Sequence, residues 1–103
     1  MQIDIEATNI KLTAPLREYV EEKIGKLSKF LESLEKDGEA YIRVEVARRS
    51  HHHIHGEVYR AEGNLRFPGG MLRAEHSAED VRIAIDKVRD KLQREIRKYK
   101  TSH

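Results

Sequence analysis

The 103-residue sequence contains no cysteine, only two prolines and no long apolar run. Without cysteine there is no disulfide framework, no thiol nucleophile and no thiolate zinc site. No apolar stretch approaches the roughly 20 residues that cross a bilayer. The opening "MQIDIEATNI" has neither the basic nor the apolar region of a secretory signal. Charge of one sign hardly dominates either: 20 Lys and Arg face 18 Asp and Glu, for a net of +2. So small a net charge steers little by itself, and any anion site must come from sorting charge onto one surface. The glycines form neither a P-loop nor a dinucleotide-binding pattern, and no nucleophile motif occurs. The acid pairs Glu21-Glu22 and Glu79-Asp80 fall on predicted helix surfaces. No catalytic residue, cofactor or small-molecule substrate is expected, and the expectation is a soluble cytoplasmic protein with no membrane partner.

What the chain does have is charge in strict order. Charged residues make up 37% and apolar residues 38%, a balance that would suit disorder were the apolar residues not periodic. "MQIDIEATNI" alternates, with Ile3, Ile5 and Ala7 on one side, which predicts a half-buried strand. Thr13 can cap a helix whose first turn accepts Pro15. Leu16, Val20, Ile24, Leu27, Leu31 and Leu34 then recur at helical spacing. This helix is expected to reach about Lys36 and to end through Gly38 in "KDGE". Ala40, Ile42, Val44 and Val46 alternate with Tyr41, Arg43, Glu45 and Ala47 as a second strand, and "RRSHHHIHG" reads as its turn. "EVYRAEGNLRF" is a third strand, with Gly63 a candidate bulge. "PGG" turns the chain and "MLRAEH" is a short fourth strand. Ser77 with Asp80 resembles a capping box ahead of a second helix from Ala78 to about Tyr99, and "KTSH" is a polar tail. The order is β-α-β-β-β-α. Successive strands favour antiparallel neighbours, and two amphipathic helices need one apolar sheet face. The expected fold is α+β, a two-layer sandwich with a four-stranded sheet and both helices on one face, formed by residues 1–103 as one domain.

On a helical wheel, Val81, Ala84, Ile85, Val88, Leu92, Ile96 and Tyr99 share one apolar arc. Lys87, Lys91, Arg94 and Lys98 form a stripe along one flank, and Asp86 and Asp90 lie on the other, beside Gln93 and Arg97. The first helix repeats this more weakly with Lys26, Lys29 and Lys36. Lys23 falls inside the apolar arc next to Phe30, where its stem can lie on the core while its ammonium reaches the rim. Two helices on one sheet could set both stripes across a shared groove, and spaced cations in a groove suit a phosphate backbone. The alternative is a pair of solvated basic flanks, with lysines near a helix C-terminus favoured by the macrodipole.

The stretch "HHHIH" supplies His51, His52, His53 and His55. On a strand, His53 and His55 would share a side and could hold a metal, the starting point for a small metal-dependent or hydrolytic enzyme. No carboxylate or cysteine stands at ligand spacing beside them. A polar hairpin loop is therefore the preferred reading, with no metal site assigned.

The segments "NIKLTAPLREYVEEKIGKLSKF", "HGEVYRAEGNLRFPGG" and "LRAEHSAEDVRIAIDKVRDKLQREIRKYK" resemble the ribosome hibernation-promoting factors, a family also called ribosome-associated inhibitor A or protein Y. The resemblance covers essentially the whole chain. It implies a fold similar to double-stranded-RNA-binding domains. It also implies binding to the small ribosomal subunit and its rRNA between head and body, overlapping the mRNA and tRNA sites, so that translation is silenced and idle ribosomes are protected. By matching position it implies rRNA contacts at Lys23, Lys26, Lys29, Lys87, Lys91, Arg94 and Lys98, together with Arg82, Arg97 and Lys100. Ile83 departs from the family, which often has Tyr there. Long members continue into a second domain that pairs ribosomes, so the chain is either a short form or the first part of a long one. A general double-stranded-RNA-binding domain is the alternative, although such domains open with a helix and this chain opens with a strand.

Overall fold

The computed structural model describes residues 1–49 and 58–102. The alternating start forms strand β1, Gln2–Thr8. Thr13 caps helix α1, Ala14–Gly25, its Oγ1 accepting from the Leu16 amide at 3.3 Å. The expected continuous helix to Lys36 is broken. Gly25, a poor helix former, ends α1, and the chain tightens so that the Leu27 amide donates to the Ile24 carbonyl at 3.0 Å. A one-turn helix α2 follows at Ser28–Leu31, then a 3-10 turn at Glu32–Leu34. Leu27 and Leu31 are still fully buried, so the apolar spacing outlasts the helix that it predicted. Nor does Gly38 end the helix, since Glu35 beyond the 3-10 turn already accepts the Ala40 amide at 2.7 Å.

Strands β2, Tyr41–Arg48, β3, Tyr59–Phe67, and β4, Gly70–Ala78, complete a sheet of order β1-β2-β3-β4. The β2–β3 and β3–β4 pairs are antiparallel as expected. The β1–β2 pair is parallel, because the chain crosses back through α1 and α2 between them. Gly63 forms no bulge: it pairs in register with Val44 and Ala74. Pro68 and Gly69 make the two-residue β3–β4 turn, Gly69 taking the positive φ of 96° that the third position of a type II turn requires. β4 absorbs Ser77 and Ala78, which removes Ser77 as a helix cap. Asp80 caps instead, its Oδ1 accepting from the Arg82 amide at 2.7 Å, and helix α3 runs Val81–Ser102, taking in most of the expected polar tail.

Ile42, Val44, Val46, Ala61 and Leu65 of the sheet are fully buried in one cluster with Val20 and Ile24 of α1 and Ile85, Val88, Leu92 and Ile96 of α3. The fold is therefore the expected two-layer α+β sandwich, with the helices on one sheet face and the other face open to water. α1 and α3 run side by side in the same direction: Tyr19 meets Asp86 near their starts, and beyond α1 the Phe30 carbonyl meets Lys100 near the end of α3. No described helix is long and apolar enough to cross a membrane.

Candidate nucleic-acid interface

The two faces of the molecule treat charge differently. On the open sheet face, strand register puts arginine beside glutamate. Arg43 pairs with Glu6 and Arg60 with Glu75, while Arg73 reaches Glu62 at 2.5 Å and Glu75 at 2.8 Å. The hydrogen bond and charge of Arg60 hold the Glu75 carboxyl below the usual carboxylate range. Burial pushes Glu62 upward, but the hydrogen bond and charge of Arg73 outweigh it and leave Glu62 lowered too. These charges are already answered within the protein.

The helix layer is the opposite. Among the described residues, side-chain ion pairs involve Arg43, Arg60, Arg73 and Arg89. None involves Lys23, Lys26, Lys29, Arg82, Lys87, Lys91, Arg94, Arg97, Lys98 or Lys100. Of the three acids of α3, Asp90 pairs with Arg89 at 2.7 Å and both Asp86 carboxylate oxygens accept from the Tyr19 hydroxyl at 2.8 and 3.0 Å, while Glu95 borders a cleft with Lys91 and Arg94.

The cations do not line one shared groove. Lys87, Lys91, Arg94 and Lys98 flank α3 on the side of β4, where Lys91 Nζ donates to the Glu75 carbonyl at 2.8 Å. Lys91 and Arg94 border an open polar cleft with Arg73, Glu75 and Glu95. The flank of α3 that faces α1 and α2 carries Arg82, Arg97 and Lys100 instead, across from Lys23 and Lys29. The expectation that the four-residue stripe faces the first helix is thereby corrected: α1 lies over the β1 side of the sheet and α3 over β3 and β4, so the stripe points to the outer edge. The two sets bracket the solvent ridge of α3, where Ile83 is 48% exposed.

Lys23 is half-buried, as its place in the apolar arc implied, and its Nζ stands 5.4 Å from the Tyr19 ring centroid. The Arg82 guanidinium carbon stands 5.0 Å from the same centroid. Lys29 takes the place beside Phe30, at 5.2 Å. Burial, then the hydrogen bond to Asp86, pushes the Tyr19 hydroxyl pKa up. Sequence reasoning missed Tyr19 as the link between α1 and α3. The signal available was its i−4 spacing from Lys23; its partners on α3 lie far away in the chain. Arg89 was missed as well, and it serves to occupy Asp90. His51, His52, His53 and His55 lie outside the described residues.

The model of the family described as Sigma 54 modulation protein / S30EA ribosomal protein matches residues 3–103. A ribosome hibernation promotion factor of Deinococcus radiodurans is 36% identical over 100% of this chain and 51% of its own length. One from Lactococcus lactis is 36% identical over 98% of this chain and 50% of its own. The chain spans about half the length of the curated relatives it matches. Among solved structures, the N-terminal domain of Thermus thermophilus Protein Y superposes with a TM-score of 0.76 at 27% identity, covering 96% of this chain and 99% of that one. A ribosomal subunit interface protein from Coxiella burnetii, at 20% identity and a TM-score of 0.77 over 98% of this chain and 99% of that one, shares the fold.

Proposed function

Because the chain belongs to the Sigma 54 modulation protein / S30EA ribosomal protein family, we propose that residues 1–103 form one ribosome-binding domain of a cytoplasmic hibernation factor. The domain binds the small ribosomal subunit through rRNA, in the channel between head and body. It inhibits translation by occupying the mRNA and tRNA path, and it protects idle ribosomes. It makes and breaks no bond. The observation that carries this reading is the division of charge: Arg43, Arg60 and Arg73 are ion-paired on the sheet face, whereas over α3, α1 and α2 the one described ion pair is Arg89 with Asp90, and none involves the ten lysines and arginines named above. Unpaired lysines and arginines spread over one face suit a phosphate backbone, where each contact releases a counterion and adds to affinity without reading sequence.

The test is co-sedimentation with small subunits in the presence of competing duplex RNA. The wild type should pellet with subunits and resist the duplex. Replacing Lys87, Lys91, Arg94 and Lys98 together by Glu should abolish pelleting and relieve inhibition in a translation extract. Helix content should persist, because Glu and Lys have similar helix propensities and the apolar arc is untouched. A folded fourfold variant that still pellets at physiological salt overturns the reading. Loss of wild-type pelleting to an equal mass of duplex favours a general duplex binder.

A further inference from the structure

The helix layer carries a recess that phosphate contacts alone do not need. Where α2 meets the last turns of α3, Phe30, Ile96, Arg97, Lys100 and Thr101 line a cleft of about 210 Å³. Its apolar part is the half-buried Phe30 ring together with Ile96. Its rim is cationic. Lys100 Nζ donates to the Phe30 carbonyl at 3.0 Å, which holds that ammonium at the mouth. Lys29 Nζ stands 5.2 Å from the Phe30 ring centroid. Among the described residues no acidic side chain lines the cleft, and none pairs with Lys29, Arg97 or Lys100. An occupant therefore needs a flat apolar part for the floor and negative charge for the rim.

On the rRNA-binding reading above, we infer that this cleft takes one unpaired RNA nucleotide, its base against Phe30 and its phosphate between Arg97 and Lys100. The cleft is smaller than the roughly 300 Å³ and upward typical of drug-sized ligands, and it accommodates a single planar ring. A duplex keeps its base faces stacked and hidden, so an aromatic platform selects a base that has left the stack. Stacking on one aromatic tolerates any base, so the cleft reads a conformation of the strand and not its sequence. The four-residue stripe on the far flank of α3 binds backbone whatever its pairing. The Phe30 cleft adds a preference for a bulged or single-stranded position next to it.

The experiment uses the whole chain and a short single-stranded RNA carrying one 2-aminopurine, with the same strand annealed into a duplex as control. The protein should quench the probe in the single strand and leave the duplex signal unchanged. Phe30→Leu, which keeps an apolar residue against the core, should lower affinity for the single strand about tenfold with the salt dependence unaltered. Arg97→Gln and Lys100→Gln, both at exposed positions, should instead each flatten the salt dependence by roughly 0.7 of a unit. They decide the matter should Phe30→Leu fail to fold. Absence of quenching by the wild type, quenching by Phe30→Leu equal to wild type, or a double Arg97→Gln/Lys100→Gln variant that binds as wild type overturns the inference. Small-subunit co-sedimentation run alongside separates the two readings. Pelleting without quenching removes the cleft and keeps the ribosome reading, and Phe30-dependent quenching without pelleting does the reverse.

Discussion

Gly63→Ala puts a methyl group where β3 and α3 touch. The added Cβ would lie 2.9 Å from Leu92 Cδ1, 3.2 Å from Val88 Cγ1 and 3.5 Å from Ile42 Cδ1. Carbon atoms rest at about 3.5–4.0 Å, so the Leu92 contact is short by roughly half an ångström or more. Leu92, Val88 and Ile42 are all fully buried, so none can swing into open solvent. Either Leu92 leaves its rotamer or α3 lifts from the sheet. Overpacking of this kind costs about 1–3 kcal/mol. Replacing glycine also narrows the unfolded ensemble, which returns about 0.4–1 kcal/mol. The net expectation is a loss of about 1–2 kcal/mol, or about 4–16 °C in Tm for a domain of this size, read by circular dichroism melts and urea titration. The cause is checked by a double-mutant cycle. Leu92→Ala alone should cost about 2–5 kcal/mol, but in that background the Gly63→Ala methyl finds room and should cost little or nothing, a coupling above about 1 kcal/mol. An unchanged or raised Tm for Gly63→Ala, or strict additivity with Leu92→Ala, would refute close approach as the reason for glycine at this position.

Tyr19→Phe removes the donor to Asp86 and keeps the ring beside Lys23 and Arg82, so it should cost about 1 kcal/mol in urea unfolding at neutral pH. Because the Tyr19 hydroxyl is held above its ordinary value of about 10, that contribution is complete below this value and is lost as pH rises through the folded value. The wild-type advantage over Tyr19→Phe should therefore shrink in strong alkali, and an advantage that persists there would show that proton donation to Asp86 is not its source. On the sheet face, Glu62 and Glu75 are lowered, so what they contribute is complete above the usual carboxylate value of about 4.3 and is lost as pH falls through their folded values. Arg73→Gln should bring the Glu62 titration, followed by carbon NMR, back towards that value and weaken the dependence of stability on acid. A Glu62 titration that does not move would show that Arg73 is not the cause.

What could be read in the chain alone was whatever a residue settles with neighbours a few positions away. Thr13 caps α1 because its oxygen reaches an amide three residues on. The order of elements follows from alternation in β1 to β4 and from the apolar spacing in the helices. The segregation of Lys87, Lys91, Arg94 and Lys98 from Asp86 and Asp90 is a property of helical geometry and needed no partner. Tertiary structure decided the remainder, because the deciding atoms lie far apart in sequence. Leu27 and Leu31 keep helical spacing through a break that only the hydrogen bonding after Gly25 reveals. Ser77 belongs to β4 because a partner strand claims it, opposite Arg60. Gly63 is small because Leu92, almost 30 positions on, presses against it. Which flank of α3 meets α1, and so which cations share a surface, depends on strand order across the sheet. Which charges stay unpaired depends on cross-strand register on one face and on Tyr19 reaching Asp86 on the other. Helical and strand periods repeat over two to four residues and record which side of an element is apolar. They carry no record of what will be packed against it.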